Sequence, residues 1–256
     1  MDASRFSLMD LRRLANGLSD AALAVLYPQA CAACGQSVEQ RADGAACAAC
    51  WRATRLFDGT ETLCQKCGEL WPVALPTELR GKARCGRCRE DLYEVARAVG
   101  VYEGGLRVSV LRLKREPYLP ARLAQALAQA QKRLPPSGAA RIIPVPLHAE
   151  RLRERGFNQA AIIGQALARS TGWPCDEWSL AREHYTEMHR ASMDAAARRA
   201  SVAEAFAVTR PRLINGARIL LADDVFTTGA TVGACAAALK EAGAAEVYVL
   251  TLARAV

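Results

Sequence analysis

No stretch of the chain restricts its fold as tightly as the one from Arg218 to Leu252. Arg218-Ile219-Leu220-Leu221-Ala222 is apolar and reads as a buried strand. Two acids follow, Asp223 and Asp224, and Asp223–Gly229 reads as a tight loop. Ala230–Ala242 has the composition of a helix and ends at Gly243, a common helix-stopping position. Glu246–Leu252 reads as a second strand. Strand, loop, helix, strand is a βαβ unit, which forces the two strands parallel and puts the chain in the α/β class.

The chemistry of that loop is equally restrictive. Its acids arrive at the carboxyl edge of a parallel sheet, where ligands bind in open α/β folds. Thr227, Thr228, Gly229, Ala230 and Thr231 then open a helix. Free N–H groups and the helix dipole at such a terminus attract a phosphate dianion. Gly229 allows close backbone approach and the threonine hydroxyls add donors. Carboxylates beside anion donors suit a ligand carrying both a phosphate and a diol, or a diol with Mg²⁺, which points to a sugar phosphate. Neither the Walker nor the Rossmann glycine pattern is present in the sequence.

Eight of the ten cysteines lie between Cys31 and Cys88 as four Cys-x-x-Cys pairs: Cys31/Cys34, Cys47/Cys50, Cys64/Cys67 and Cys85/Cys88. Each pair can clamp a metal with two thiolates, and two pairs complete a tetrahedral S₄ structural zinc site. Twelve residues separate the first two pairs and seventeen the last two, so two sequential zinc ribbons are the simplest assignment. An interleaved arrangement, first with third and second with fourth, stays open on spacing alone. Iron–sulfur ligation and redox chemistry of one Cys-x-x-Cys are weaker readings, because the motif recurs. Four thiolates leave no open coordination position, so the metal is expected to hold a small coreless region together. Lys66, Arg84, Arg87 and Arg89 are candidates for presentation to nucleic acid. Trp51, Phe57 and Trp71 are candidate stacking aromatics, although such residues more often form a small core. Cys175 and Cys235 read as small apolar residues.

Elsewhere, residues 4–27 have apolar residues at helical spacing and form an expected amphipathic helix over 1–27. Residues 95–102 read as a strand, Gly104 to Lys114 and Leu119 to Leu134 as helices, and Phe157–Ser170 as a helix closed by Gly172. Arg141-Ile142-Ile143-Pro144-Val145-Pro146 reads as a short buried strand with an abrupt exit. Beyond it, Arg151, Arg153 and Arg155 make a plausible pyrophosphate cradle, since guanidinium forks suit phosphate oxygens. Asn158 has a capping role open to it, and His148 alone reads as structural or exposed. A strand is expected near 177–181 and a mobile loop leading into a helix over 185–203. The division expected is 1–27, then a zinc-ribbon head over 28–92, then the α/β body over 93–256.

With 256 residues, 51% hydrophobic and 23% charged, a buried core needs no staples. The net charge of +8 favours phosphate-bearing partners without choosing among them. No apolar run approaches the ~20 residues of a membrane span, and no signal-peptide pattern is visible, so the chain reads as cytoplasmic.

Leu220–Thr231 is similar to the motif with which type I phosphoribosyltransferases bind phosphoribosyl pyrophosphate (PRPP). That resemblance implies that Asp223 and Asp224, the catalytic carboxylates, contact the ribose 2′ and 3′ hydroxyls, while Thr227–Thr231 hold the 5′-phosphate. Two further runs, Pro144-Val145-Pro146-Leu147-His148 and Arg151-Leu152-Arg153-Glu154-Arg155-Gly156-Phe157-Asn158-Gln159, look like those of the ComF family of competence-associated proteins. Leu111-Arg112-Leu113-Lys114 also resembles that family's Leu-x-Leu-Lys segment. The resemblance spans roughly residues 28–256. It implies a type I phosphoribosyltransferase-like parallel sheet flanked by helices behind a double zinc ribbon. It also implies PRPP as ligand with Mg²⁺, Arg151 and Arg155 as further PRPP-binding residues, and a link to natural competence. One region departs from the family: Thr186, His189, Met193, Asp194, Ser201 and Glu204 stand among positions where Gln, Leu-Ser, Asn and Gly are usual. In phosphoribosyltransferases the corresponding loop closes over PRPP, so closure or turnover is the property this departure puts in question.

Two readings of function stand side by side. One is a Mg²⁺- and PRPP-dependent transferase whose acceptor the residues do not name. The other is a non-catalytic protein handling single-stranded DNA, in contact with DNA-uptake proteins, whose phosphate loop is a regulatory or DNA-phosphate site.

Overall fold

The computed structural model describes residues 29–71, 73, 75–135, 138, 140–183 and 205–256. The amphipathic helix expected over 1–27 and the loop expected over 185–203 lie outside the described residues, as do the departures at Thr186–Glu204.

The chain order is α1 (Ala48–Arg52), α2 (Thr77–Arg80), β1 (Val95–Val101), α3 (Gly104–Leu113), α4 (Ala121–Gln131) and β2 (Arg141–Pro144). There follow α5 (Ala149–Arg155), α6 (Gln159–Thr171), β3 (Leu180–Arg182), β4 (Phe206–Val208), α7 (Pro211–Ile214), β5 (Arg218–Phe226), α8 (Ala230–Glu241) and β6 (Glu246–Arg254). Four strands form one sheet in the order β1-β6-β5-β2. All its pairings are parallel, so β5-α8-β6 is the expected βαβ unit. Central β6 is buried at every position after its first, as expected of a strand covered on both faces. Strands β3 and β4 form a separate antiparallel pair.

Apolar residues of one sheet face meet α3, α4 and α6, with Leu106, Leu123, Leu127, Ile163 and Leu167 fully buried. The other face packs against α8 and the second half of the Cys-rich region, through Leu221, Val247, Val249 and Leu239. An open parallel sheet exposes two edges, and both are covered here. On the β2 side, Ile142 N–H donates to Pro174 O (2.8 Å) and Asp176 N–H to Ile142 O (2.8 Å). On the β1 side the Cys-rich segment supplies Phe57 N–H to Val99 O (2.8 Å) and Val101 N–H to Arg55 O (2.9 Å). The approach is so close that a Cβ on Gly100 would lie 2.3 Å from Arg55 O. The Cys-rich segment is therefore hydrogen-bonded to the sheet, not merely tethered beside it.

Two local differences from the sequence reading have plain causes. Strand β5 continues through Asp223 and Asp224 to Phe226, because β6 runs to Arg254 and offers partners that far. The loop proper is only Thr227–Gly229. The Arg151–Arg155 segment is helix α5, capped at its start by His148 Nδ1, which accepts from Glu150 N–H, and stopped by Gly156 at φ 80°. Among the described residues no helix is long and apolar enough to cross a membrane.

Candidate functional site

The sheet delivers Asp223 and Asp224 to its carboxyl edge, in the strand between β6 and β2. A strand turns consecutive side chains to opposite faces, so the two acids have different surroundings and can reach one ligand only from the edge of the sheet. Asp223 is half-buried and Asp224 is buried. Asp223 Oδ1 accepts from the Asp224 N–H at 2.8 Å. Lys114, the residue that ends α3, brings Nζ to 3.2 Å from Asp224 Oδ2. That contact is one of charge without hydrogen-bond alignment, because Oδ2 has no hydrogen-bond partner. Burial, and next the charge of Asp224, push the Asp223 carboxyl up to about 8, against the pull of Lys114 and Arg182. A carboxylate pair held in this way has unused acceptor capacity, which a diol or a divalent cation can take up.

Directly after β5 the chain turns at Gly229 (φ 82°) into α8. Gly229 makes no side-chain cap, and the Thr228 hydroxyl lies 3.4 Å from the Ala230 N–H. The remaining N–H groups of the first turn have no acceptor within the helix. Thr227 is exposed, with Thr228, Ala230 and Thr231 half-buried around the same turn. The turn rests on Phe226: a Cβ on Gly229 would lie 2.8 Å from its Cζ. Phe226 in turn lies 4.4 Å beneath the Arg254 guanidinium and meets Tyr93 edge-on at 6.3 Å.

The loop after β2 reaches the same edge, since Val145 N–H donates to Ala222 O at 2.9 Å. Asn158 ties this loop to α6: its Oδ1 accepts from Ala160 N–H (3.0 Å) and its Nδ2 donates to Val145 O (3.0 Å). Arg151 pairs with Glu154 at 3.2 Å and Arg155 binds Gln159, so both guanidiniums are engaged within their own segment. The structure thus brings Asp223, Asp224 and Thr227–Thr231 together on one strand and one helix terminus. It puts Arg151 and Arg155 on α5, beyond the neighbouring strand. Sequence reading missed Lys114 as a partner of Asp224, although Leu111–Lys114 stood out as a segment. It also missed Arg254, which no motif flags.

The eight paired cysteines form two clusters, Cys31/Cys34/Cys47/Cys50 and Cys64/Cys67/Cys85/Cys88, within which the sulfurs lie within 4.8 Å of one another. Sequential ribbons are therefore the arrangement, and the interleaved one is excluded. The shorter separations are 3.4 Å for Cys67–Cys85, 3.5 Å for Cys85–Cys88, 3.7 Å for Cys34–Cys47 and 3.7 Å for Cys64–Cys88. A zinc ion with Zn–S bonds of ~2.3 Å holds tetrahedral thiolates about 3.8 Å apart, so both clusters fit Zn²⁺. The first pair of each ribbon is a knuckle built alike. Gly35 N–H donates to Cys31 O (2.8 Å) and Gly68 N–H to Cys64 O (2.9 Å). Both glycines take positive φ, 78° and 69°.

Of the head's candidate nucleic-acid contacts, Lys66 donates to Asp91 O (2.6 Å) and Arg87 pairs with Glu69, while Arg84 and Arg89 are exposed. Trp51 and Phe57 are buried at 2% and 4% exposure, so they are core residues and cannot stack on bases.

Comparison with known protein families agrees with the two cysteine clusters. The Double zinc ribbon domain family matches residues 22–89. DNA utilization protein YhgH of Salmonella typhimurium is 32% identical over 216 residues, covering 81% of this chain and 89% of that one. Competence protein F of Haemophilus influenzae is 30% identical over 223 residues, covering 82% and 90%. Competence protein ComFC of Bacillus subtilis is 34% identical over 114 residues, 44% of each. Among solved structures, the glutamine PRPP amidotransferase of B. subtilis complexed with ADP and GMP is 23% identical with a TM-score of 0.35, covering 58% of this chain and 27% of that one.

Proposed function

The chain belongs to the ComF family, and from that premise we propose that the edge formed by Asp223, Asp224 and Thr227–Thr231 binds PRPP with Mg²⁺. The observation that carries the reading is the spacing within one continuous segment. Two acids near the end of β5 and the N-terminus of α8 are separated only by Val225, Phe226 and the turn Thr227–Gly229. In this reading the amides and hydroxyls of Thr227–Thr231 take the 5′-phosphate and the two carboxylates take the ribose hydroxyls. Lys114 places a positive charge 3.2 Å from Asp224 Oδ2. Mg²⁺, when bound with PRPP, would supply neutralisation of the pyrophosphate charge. Arg151 and Arg155 serve the pyrophosphate only if they exchange Glu154 and Gln159 for it. The division into a head over 28–92 and a body over 93–256 belongs to the same proposal, as does a cytoplasmic location.

The test is a competition series by calorimetry. PRPP should bind more tightly than ribose 5-phosphate, and ribose 5-phosphate more tightly than either ribose or inorganic phosphate. Equal affinity for inorganic phosphate and ribose 5-phosphate would mean that the acids contribute nothing, and would overturn the reading.

The names of the relatives favour one addition. DNA utilization and competence proteins at about this identity support a role for this chain in handling DNA during uptake. Arg84 and Arg89 are among the exposed cations of the Cys-rich region. Trp178 is 70% exposed beside a cavity of about 600 Å³ lined also by Leu152, Phe157 and Arg182, and suits base stacking. Single-strand binding that falls with salt and with Trp178→Ala is expected. Binding indifferent to both would remove the DNA reading.

A further inference from the structure

The second zinc cluster and the phosphate turn are joined by one side chain. Arg254 ends β6, in register with Phe226 of β5. It is a cation at only 3% exposure, and a guanidinium that deep must be compensated. Nη1 donates to Cys67 O at 2.6 Å, and Nη2 binds Glu69 and lies 3.8 Å from Cys67 Sγ. The face of the guanidinium covers the Phe226 ring at 4.4 Å, and that ring supports Gly229. Contacts therefore run without a gap from a metal ligand, through Arg254 and Phe226, to the turn that opens α8. A cavity of about 110 Å³ at this junction is lined by Cys67, Glu69, Arg87, Arg254, Thr227 and Thr228. Among the described residues the first cluster shows no such path. Its helix α1 packs instead on α3, where Gly105 N–H donates to Thr54 Oγ1 at 2.7 Å.

The contacts give the path a direction. Zinc binding fixes Cys67, whose carbonyl and sulfur anchor the guanidinium. When the metal leaves, that anchor is free to move, Glu69 alone among these contacts still holds Arg254, and the guanidinium is less firmly fixed over Phe226. We propose that the second zinc site positions the phosphate turn through Arg254, so that metal at Cys64/Cys67/Cys85/Cys88 and an oxyanion ligand at Thr227–Thr231 bind cooperatively. The ligand half of this inference rests on the PRPP reading above. The positioning half does not.

The test uses the full zinc-loaded chain with Arg254→Lys, Cys85→Ser in the second cluster and Cys34→Ser in the first. Hydrogen exchange of the amides from 227 to 232 is measured without ligand, beside zinc content. Lysine keeps the charge but cannot bridge Cys67, Glu69 and the Phe226 face together. Arg254→Lys should therefore retain both zinc ions yet exchange these amides about tenfold faster, a loosening of the local-opening kind. Cys85→Ser should loosen them at least as much, and Cys34→Ser should leave them unchanged. PRPP affinity should fall about tenfold in Arg254→Lys. Wild-type exchange in a zinc-replete Arg254→Lys chain, or equal loosening by Cys34→Ser, refutes the coupling. If the wild type binds no PRPP, the ligand reading fails alone, and the exchange rates still decide whether the second site positions the turn. Should Cys85→Ser fail to fold, Arg254→Lys decides by itself.

Discussion

Replacing Gly229 with alanine tests how the phosphate turn is built. Gly229 sits at φ 82°, ψ −3°, where an L-residue with a Cβ pays about 1–2 kcal/mol. The new Cβ would also lie 2.8 Å from Phe226 Cζ and 3.1 Å from Cε1. The ring has little room to yield, because Arg254 covers one face and Tyr93 meets it edge-on. Conformational strain and contact together should cost about 2–3 kcal/mol. Part of the strain is relieved if the turn relaxes, and ligand binding must then restore it at roughly 1–2 kcal/mol, about a tenfold weaker Kd. Gly156 is the internal control: its φ is 80°, but nothing lies within 4 Å of its would-be Cβ. Gly156→Ala should lose only the conformational part, ~1 kcal/mol, and leave PRPP affinity intact. Urea unfolding and calorimetry on the three proteins provide the comparison. A Gly229→Ala chain matching Gly156→Ala in both stability and affinity would refute the claim that Phe226 supports the turn.

Other consequences follow from charge and metal. The Asp223 carboxyl titrates near 8 in the folded chain and near ~3.9 unfolded, so the folded state holds a proton across that window. Its stabilising contribution is complete below about pH 4 and erodes as pH rises towards 8. A ligand needing the ionised form must expel the proton, so PRPP should bind more tightly as pH rises from 6 to 8. Calorimetry in two buffers at pH 6.5 should report about one proton released, and none released would contradict the assignment. Lys114→Met removes the cation 3.2 Å from Asp224 and should move this pH dependence upward, weakening binding at pH 7. An unmoved profile would exclude Lys114 from the site. Elemental analysis should give two zinc ions per chain and one in Cys50→Ser; two in that variant would contradict independent S₄ clusters.

The elements that were legible were those whose pattern is local. The apolar strand, acid pair and threonine-rich turn of 218–231 announce a βαβ unit, because composition and period change within a few residues. The Cys-x-x-Cys pairs announce metal for the same reason. Pairing between them was not legible, since both arrangements satisfy the spacing and only packing chooses. The extension of β5 to Phe226 was hidden because two acids read as a loop, yet β6 offers Ala253 and Arg254 as partners at that depth. Helix α5 was hidden by its own chemistry. A cluster of arginines suggests a ligand, and seven residues are too short for a helical period to show. Lys114 and Arg254 act across 110 and 187 residues of sequence, on Asp224 and Cys67 respectively, and no local pattern records such contacts.

The central claim is that Asp223, Asp224 and the turn after them form one ribose-phosphate site. It is tested most directly by titrating PRPP with Mg²⁺ into the zinc-loaded chain, beside Asp223→Asn/Asp224→Asn. The double variant keeps size and fold while removing both carboxylates. Saturable binding to the wild type, lost in a variant that retains its zinc and its melting transition, is the predicted result. Equal binding to both, or binding to neither with fold and zinc content intact, would contradict it.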